Sequence, residues 1–438
     1  MINAGVGMST NRDGFIAGKH AARQALEDIN SNPRLAILAV DSLTRLHFNY
    51  SEVLRGVREV LGSHIPLIGS TANGILVNNR FALRSVGVML LSGDLSIDET
   101  YNYGMSRLEY QKIAQEIYNI YNDLEPDPGR FMLMFQDGIK FPPETMNKQE
   151  SLNSRVVSMF SRLVSRFFKR QLEEFKEEGL GMPSVQELLQ ELYNLGWNNR
   201  IIGNIATNVR DYDSVEFYND QVAEDNIVGA FISPQRSTKF GFGFKAGAES
   251  TGKICYPTKN IGNFLLKVND EPALIGLCKT AGINIDSLRE LKGSGYLNYH
   301  TILGTREKSN ENEYVHLTAT ITDPGLDSLI NTGFPFDKVP KEIEIFQSNI
   351  GILKKTAEES VREAMEGITT PRFLLGFDCA IRLFAYGDNL PKIVKIIDDT
   401  IGKDVPRMII GSGGEIYGTR NMDYYFNSMT FVTLVGGE

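Results

Sequence analysis

The chain has 438 residues, 42% of them hydrophobic and 23% charged, and at about 150 residues per domain it has room for two or three domains. Its formal net charge is -9, which argues against non-specific nucleic-acid binding, since that needs a surplus of Lys and Arg on one surface. Cys255, Cys278 and Cys379 lie far apart with no Cys-x-x-Cys spacing, which argues against a structural zinc site or a disulfide framework.

Met1 to Thr10 lacks the basic and apolar regions of a signal peptide, and no run approaches the ~20 apolar residues needed to cross a bilayer. A cytoplasmic protein with no membrane span is therefore expected. Ser9 and Thr10 followed by Asn11-Arg-Asp13 predict a capping box, opening a helix over Phe15 to Ile29. Leu35 to Val40 reads as a buried strand and Tyr50 to Leu61 as a helix with apolar Val53, Leu54, Val57 and Val60. Pro66 to Gly69 then reads as a strand running into a turn.

The same order recurs. Ile65-Pro-Leu-Ile-Gly-Ser-Thr-Ala-Asn-Gly74, Arg200-Ile-Ile-Gly-Asn-Ile-Ala-Thr-Asn208 and Arg407-Met-Ile-Ile-Gly-Ser-Gly-Gly-Glu-Ile416 each follow a β-like run (Leu35 to Val40, Phe131 to Phe135, Phe373 to Phe377). Each also precedes another, at Ser85 to Leu91, Ile227 to Ile232 and Ser428 to Val435. One strand-helix-strand-turn unit is expected three times, with a Gly-containing turn at the end of an apolar strand as the place for a ligand.

An insert at about 144–182 interrupts the second copy. Within it, residues 151–178 show Val156, Phe160, Leu163, Phe167 and Leu172 at helical spacing. This helix either packs on its own domain or makes a homodimer or partner contact; Glu173, Glu174, Glu177 and Glu178 oppose a membrane role. Ser237 to Ala246, with Phe240, Phe242 and Phe244 alternating with glycine, reads as a strand whose Gly face admits another backbone. Glu342 to Phe346 reads as a strand and Asn349 to Met365 as a helix. The expected fold class is α/β: two packed α/β domains, 1–236 and 237–438, with mixed sheets covered by helices.

Taken in order, Gly7-Met-Ser-Thr-Asn-Arg-Asp13, Pro66-Leu-Ile-Gly-Ser-Thr71, Ile201-Ile-Gly203, Tyr256-Pro-Thr-Lys259, Val268-Asn-Asp-Glu-Pro-Ala273, Asp378-Cys-Ala-Ile-Arg382 and Gly414-Glu-Ile416 resemble the FIST family across nearly the whole chain. Glu271 stands where that family usually has glycine. The resemblance implies an N-terminal and a C-terminal FIST domain and a sensory module for small molecules such as amino acids. No signalling output is recognisable in the sequence, so a partner would carry the signal, or the chain would simply bind.

Candidate ligand residues follow. Arg382 and Cys379 come directly after an apolar strand, where open α/β sheets form clefts. Arg382 could hold a carboxylate with two parallel bonds, or make a structural ion pair; Cys379 could instead be a small core hydrophobe. If Arg382 binds ligand, Arg382→Ala should abolish ligand-induced stabilisation and leave the fold intact. Glu415, beside Gly413 and Gly414, could accept an ammonium, or the glycines could simply make a tight turn. Ser70, Thr71 and Asn73, with Asn204, Thr207 and Asn208, offer neutral hydrogen bonds, though turns prefer the same residues.

The segment Gly411 to Ile416 lacks the third glycine and following elements of a dinucleotide fingerprint. No cofactor is assigned. Some relatives bind haem, and His300 or His316 would be the axial candidate. The alternatives to a sensor are an adaptor working through the 151–178 helix and an enzyme with Cys379 as nucleophile, for which no nearby histidine supplies a base.

Overall fold

The computed structural model describes residues 1–29, 31–42, 48–104, 108–138, 185–207, 214–261, 264–284, 302–309, 312–318, 320–323, 328–331, 339–419 and 424–438. The expected insert at 144–182 with its helix, His300 and Asn208 lie outside these residues, and so does the side chain of His316.

The chain lays down one pattern three times. The first copy runs β1 (Asn3–Ser9), α1 (Gly14–Glu27), β2 (Pro33–Asp41), α2 (Tyr50–Leu61), β3 (Leu67–Ala72), a hairpin of β4 (Ile75–Val77) and β5 (Arg80–Ala82), and β6 (Val86–Ser92). The second runs β7 (Leu95–Tyr103), α3 (Tyr110–Asp123), β8 (Phe131–Gln136), α4 (Val185–Asn194), β9 (Arg200–Ile205), a hairpin of β10 (Glu216–Tyr218) and β11 (Gln221–Ala223), and β12 (Ile227–Pro234). The third begins with β13 (Lys239–Ala246). Strands β14 to β22, between Glu249 and Gln347, then intervene with helix α5 (Ala273–Ala281). It resumes with α6 (Ile350–Ala364), β23 (Pro371–Cys379), α7 (Ala380–Tyr386), α8 (Leu390–Ile401), β24 (Arg407–Ser412), a hairpin of β25 (Gly414–Gly418) and β26 (Tyr424–Asn427), and β27 (Thr430–Gly437). The expected division at about 236 falls between β12 and β13.

Pairing is the same in each copy. The strands flanking the second helix run parallel (β2 with β3, β8 with β9, β23 with β24), and the closing strand returns antiparallel (β6, β12, β27). The hairpins do not stay at home. That of the second copy extends the first sheet through β3, that of the third extends the second through β9, and that of the first extends the third through β24. Three six-stranded sheets result, locked by a cyclic exchange.

The apolar runs become central strands because both their faces are covered. Along β2, Leu35, Ile37 and Ala39 enter a core shared by all three sheets, while Ala36, Leu38 and Val40 pack under α1 and α2. Along β8, Phe131, Leu133 and Phe135 join the shared core, and Met132 and Met134 lie under α3 and α4. Phe373, Leu375 and Phe377 of β23 complete it, with Leu374 facing α6 and α8. The intervening segment has a core of its own around Cys255, Leu265, Leu274, Leu303 and Ile345. No helix among the described residues is long and apolar enough to cross a membrane.

Two local expectations are corrected. The helix cap is Asp13, whose carboxylate accepts from the Ile16 amide at 2.9 Å; Ser9 is already the last residue of β1, so the helix begins too late for Ser9 or Thr10 to cap it. Of the motif glycines, Gly74 (φ 89°) and Gly413 do stand at the bends between strands, but three others do not form turns. Gly69, Gly203 and Gly411 sit inside β3, β9 and β24, where a Cβ on Gly69 or Gly203 would stand 1.9 Å from the carbonyl oxygen of Leu38 or Met134.

The glycine face of β13 does admit another backbone. A Cβ on Gly243 would lie 1.8 Å from the Ser360 carbonyl oxygen of α6, and one on Gly241 equally close to that of Ala364. Gly243→Ala is therefore expected to push α6 off the sheet and to cost about 1–3 kcal/mol, as overpacking does, measured by chemical denaturation. A loss below ~0.5 kcal/mol, the range of neutral surface changes, would contradict this packing.

Candidate functional site

The ends of β3, β9 and β24 meet in a ring of backbone bonds. The Asn73 amide donates to Gly411 O (2.9 Å), the Thr207 amide to Thr71 O (3.4 Å) and the Gly413 amide to Ile205 O (3.0 Å). Asn73, Thr207 and Gly413 are thus equivalent positions. The third motif is therefore shifted by two residues relative to its glycine: Gly69 and Gly203 correspond to Ile409, and Gly411 to Thr71 and Ile205.

One layer inward, Ser70, Asn204 and Ile410 face the strands of the borrowed hairpins. Their cross-strand partners are Glu216, Glu415 and Ile75, and all six residues are 0% exposed. Two edges of the threefold arrangement thus carry a buried glutamate, and the third an isoleucine pair. Ser70 Oγ and Asn204 Oδ1 are 3.5 Å apart. The two glutamates bind alike: Glu216 Oε2 accepts from the Asn226 amide (3.3 Å), and Glu415 Oε2 from the Thr430 amide (3.2 Å) and Thr430 Oγ1 (2.6 Å).

Glu415 has an atom to spare. Its Oε1 is buried without a hydrogen-bond partner, and so is Nδ2 of Asn427, the residue directly across from it on β26. The Asn427 amide is oriented by its Oδ1, which accepts from the Leu317 amide at 2.7 Å. Burial pushes the Glu415 carboxyl well above its ordinary value, more than the Thr430 hydroxyl and amide lower it. The shift favours the neutral acid. When protonated, with both Thr430 donors on Oε2, it would carry the proton on Oε1, and the pair would present two donors.

This carboxyl has a sign for stability. Because the folded state holds the proton more tightly, the Glu415 contribution is fully present below its ordinary pKa of 4.5 and is lost as pH rises toward the folded value. Glu415→Gln is expected to be more stable than wild type at pH 8, with the difference shrinking toward pH 4.5, as read from melting temperature across that range. A gap that widens on acidification would contradict the protonated assignment.

Arg382 and Cys379 lie next to this layer and interact electrostatically with Glu415. Arg382 is 0% exposed and does not line an open cleft. Its Nε donates to Asp378 Oδ1 (2.7 Å), Nη1 to Thr356 Oγ1 (3.1 Å) and Nη2 to the Tyr386 hydroxyl (3.1 Å), while that hydroxyl donates to Asp378 Oδ2 (2.7 Å). Although burial opposes its charge, Tyr386 and Asp378 outweigh burial and keep the guanidinium protonated. Burial, with Glu415 adding to it, pushes the Cys379 thiol far up, leaving a neutral thiol that is a poor nucleophile.

The remaining sequence candidates gather at the same end. Thr71 Oγ1 accepts from the Val215 amide (3.2 Å), Asn73 Nδ2 donates to Thr207 Oγ1 (2.9 Å), Gly414 pairs with Ile205 and Gly413 is half-buried. Sequence reasoning missed Ser42, whose Oγ donates to Thr207 O (2.5 Å), and also Glu216 and Asn427. A signal for Glu216 was present: Glu216-Phe-Tyr218 and Glu415-Ile-Tyr417 share a Glu-x-Tyr pattern at equivalent hairpin positions.

No curated protein matches the chain. Among solved structures, a cyanuric acid hydrolase from A. caulinodans is similar with a TM-score of 0.27 and 9% identity, over 54% of this chain and 72% of that one. A family model described as the FIST N domain matches residues 35–271, a span that runs from β2 of the first copy through the whole second copy and past β13, and by that match the chain belongs to the FIST family.

Proposed function

We propose that this protein is a cytoplasmic sensory domain that binds a small molecule bearing an acceptor oxygen, such as the carboxylate of an amino acid, and passes the signal to a partner in signal transduction. Family membership supports the sensory role. The observation that carries the ligand class is the pair of unpartnered buried polar atoms on directly opposed residues, Glu415 Oε1 and Asn427 Nδ2, since a buried polar group without a partner costs about 1–3 kcal/mol and, with Glu415 protonated, one ligand oxygen would relieve both.

In this reading Ser70, Thr71 and Asn204 form the polar wall, the Gly413-Gly414 backbone lets a ligand approach, and Arg382 and Cys379 act from behind: Arg382 supplies positive potential while its hydrogen bonds hold Asp378 in place. Residues 1–236 and 237–438 are the two functional halves, and the 151–178 segment is the partner or homodimer contact.

The test is a thermal-shift screen of the full chain against amino acids, other small carboxylates, nucleotides and haem. A ligand at 100 times its dissociation constant should stabilise the fold by about 2.7 kcal/mol. Stabilisation by a carboxylate supports the proposal; a panel in which only haem or nucleotides act, or nothing does, counts against it.

A further inference from the structure

The opposite end of the same strands carries a separate site. Arg200 begins β9, about 17 Å of strand from Ile205 at ~3.3 Å per residue, and there a cleft of about 300 Å³ opens between the second and third sheets, at the lower limit of the range typical of small-molecule pockets. Its floor is aromatic: Phe240 is half-buried and Phe242 is 9% exposed. Around it stand Arg130, Arg200 and Lys239, with Glu366 exposed at the rim.

The three cations are not alike. Arg130 is buried and neutralised by Asp98 at 2.7 Å. Arg200 is half-buried, its guanidinium 5.0 Å from the centre of the Phe242 ring. It donates from Nη1 to the Tyr417 hydroxyl at 3.1 Å, and no carboxylate among the described residues pairs with it. Among the described residues Lys239 Nζ donates to the Gly367 carbonyl alone, at 3.1 Å. With respect to the described residues Arg200 therefore keeps four of its five N–H donors, enough for a two-pronged grip on a carboxylate, and a second cation without a carboxylate partner among them lines the same cleft.

We propose that this cleft binds a small aromatic carboxylate, with its carboxylate on Arg200 and Lys239 and its ring on Phe240 and Phe242. None of these residues belongs to the Glu415 layer, so this site is independent of the proposed sensory one.

The experiment is calorimetric titration of the full chain with benzoate, with benzyl alcohol as the uncharged ring and with inorganic phosphate as the ring-less anion. Benzoate is expected to bind, and the two controls to bind at least about tenfold more weakly, since a charged hydrogen bond contributes at least that factor. Arg200→Gln should weaken benzoate by at least about tenfold, Lys239→Gln by a smaller factor, and Asn427→Ser not at all. Should Arg200→Gln fail to fold, the exposed Lys239→Gln variant decides. The proposal is overturned if benzoate does not bind at millimolar concentration, if phosphate binds as tightly, if neither cleft variant weakens benzoate, or if Asn427→Ser is the variant that abolishes binding.

Discussion

Replacing Arg382 with methionine is expected to destabilise the protein by about 3–5 kcal/mol at neutral pH, the usual cost of stranding one partner of a buried ion pair. Asp378 would lose its closest cation, and the hydroxyls of Thr356 and Tyr386 would lose a donor. The sequence-based expectation that Arg382→Ala would leave the fold intact is therefore corrected by the burial of this cluster. Removing both charges, with Asp378→Asn and Arg382→Met together, should restore most of the loss, because two neutral side chains need no mutual compensation. Urea denaturation of the single and double variants checks this; a single-variant loss under ~1 kcal/mol, the worth of an exposed pair, would mean the pair does not hold α6 and α7 to β23.

Expressed apart, residues 1–236 and 237–438 are each expected to fail to reach the native state. The first would lose β25 and β26 from the edge of β9, and the second would lose β4 and β5 from the edge of β24. The shared core would also be opened. Phe131 packs against Phe240 and Phe242, and Phe135 against Phe377, with ring centres 4.9–5.8 Å apart across that division. Exposing five such rings at about 1.5–3 kcal/mol each forfeits roughly 10 kcal/mol, comparable with the whole stability of a typical domain. Circular dichroism and limited proteolysis of the separate halves test this; cooperative melting of isolated 1–236 would show that the exchanged hairpins are ornaments.

The repeated unit was legible because strands buried on both faces announce themselves as unbroken apolar runs, as at Leu35 to Val40, Phe131 to Phe135 and Phe373 to Phe377. The cap was misplaced because Ser9, Thr10 and Asp13 are all good caps and only the extent of β1 decides among them. Hairpin exchange left no local trace: nothing in Ile75-Leu-Val77 says which sheet it will join. For the same reason neither Glu216 nor Asn427 stood out as a site residue until pairing set them across from Ser70 and Glu415. The motif residues do converge, but Gly69, Gly203 and Gly411, which look like turn formers, serve here as strand residues where a neighbouring carbonyl leaves no room for a Cβ.

The sensory reading rests on Glu415 and Asn427 awaiting a ligand oxygen. The most direct measurement is calorimetric titration of the full chain with the common amino acids, repeated on Asn427→Ser. The expected result is binding of at least one of them, weakened by about tenfold or more in the variant, while benzoate affinity and cooperative unfolding persist. Binding that is indifferent to Asn427→Ser, or no binding at all, would contradict the assignment of this layer as the ligand site.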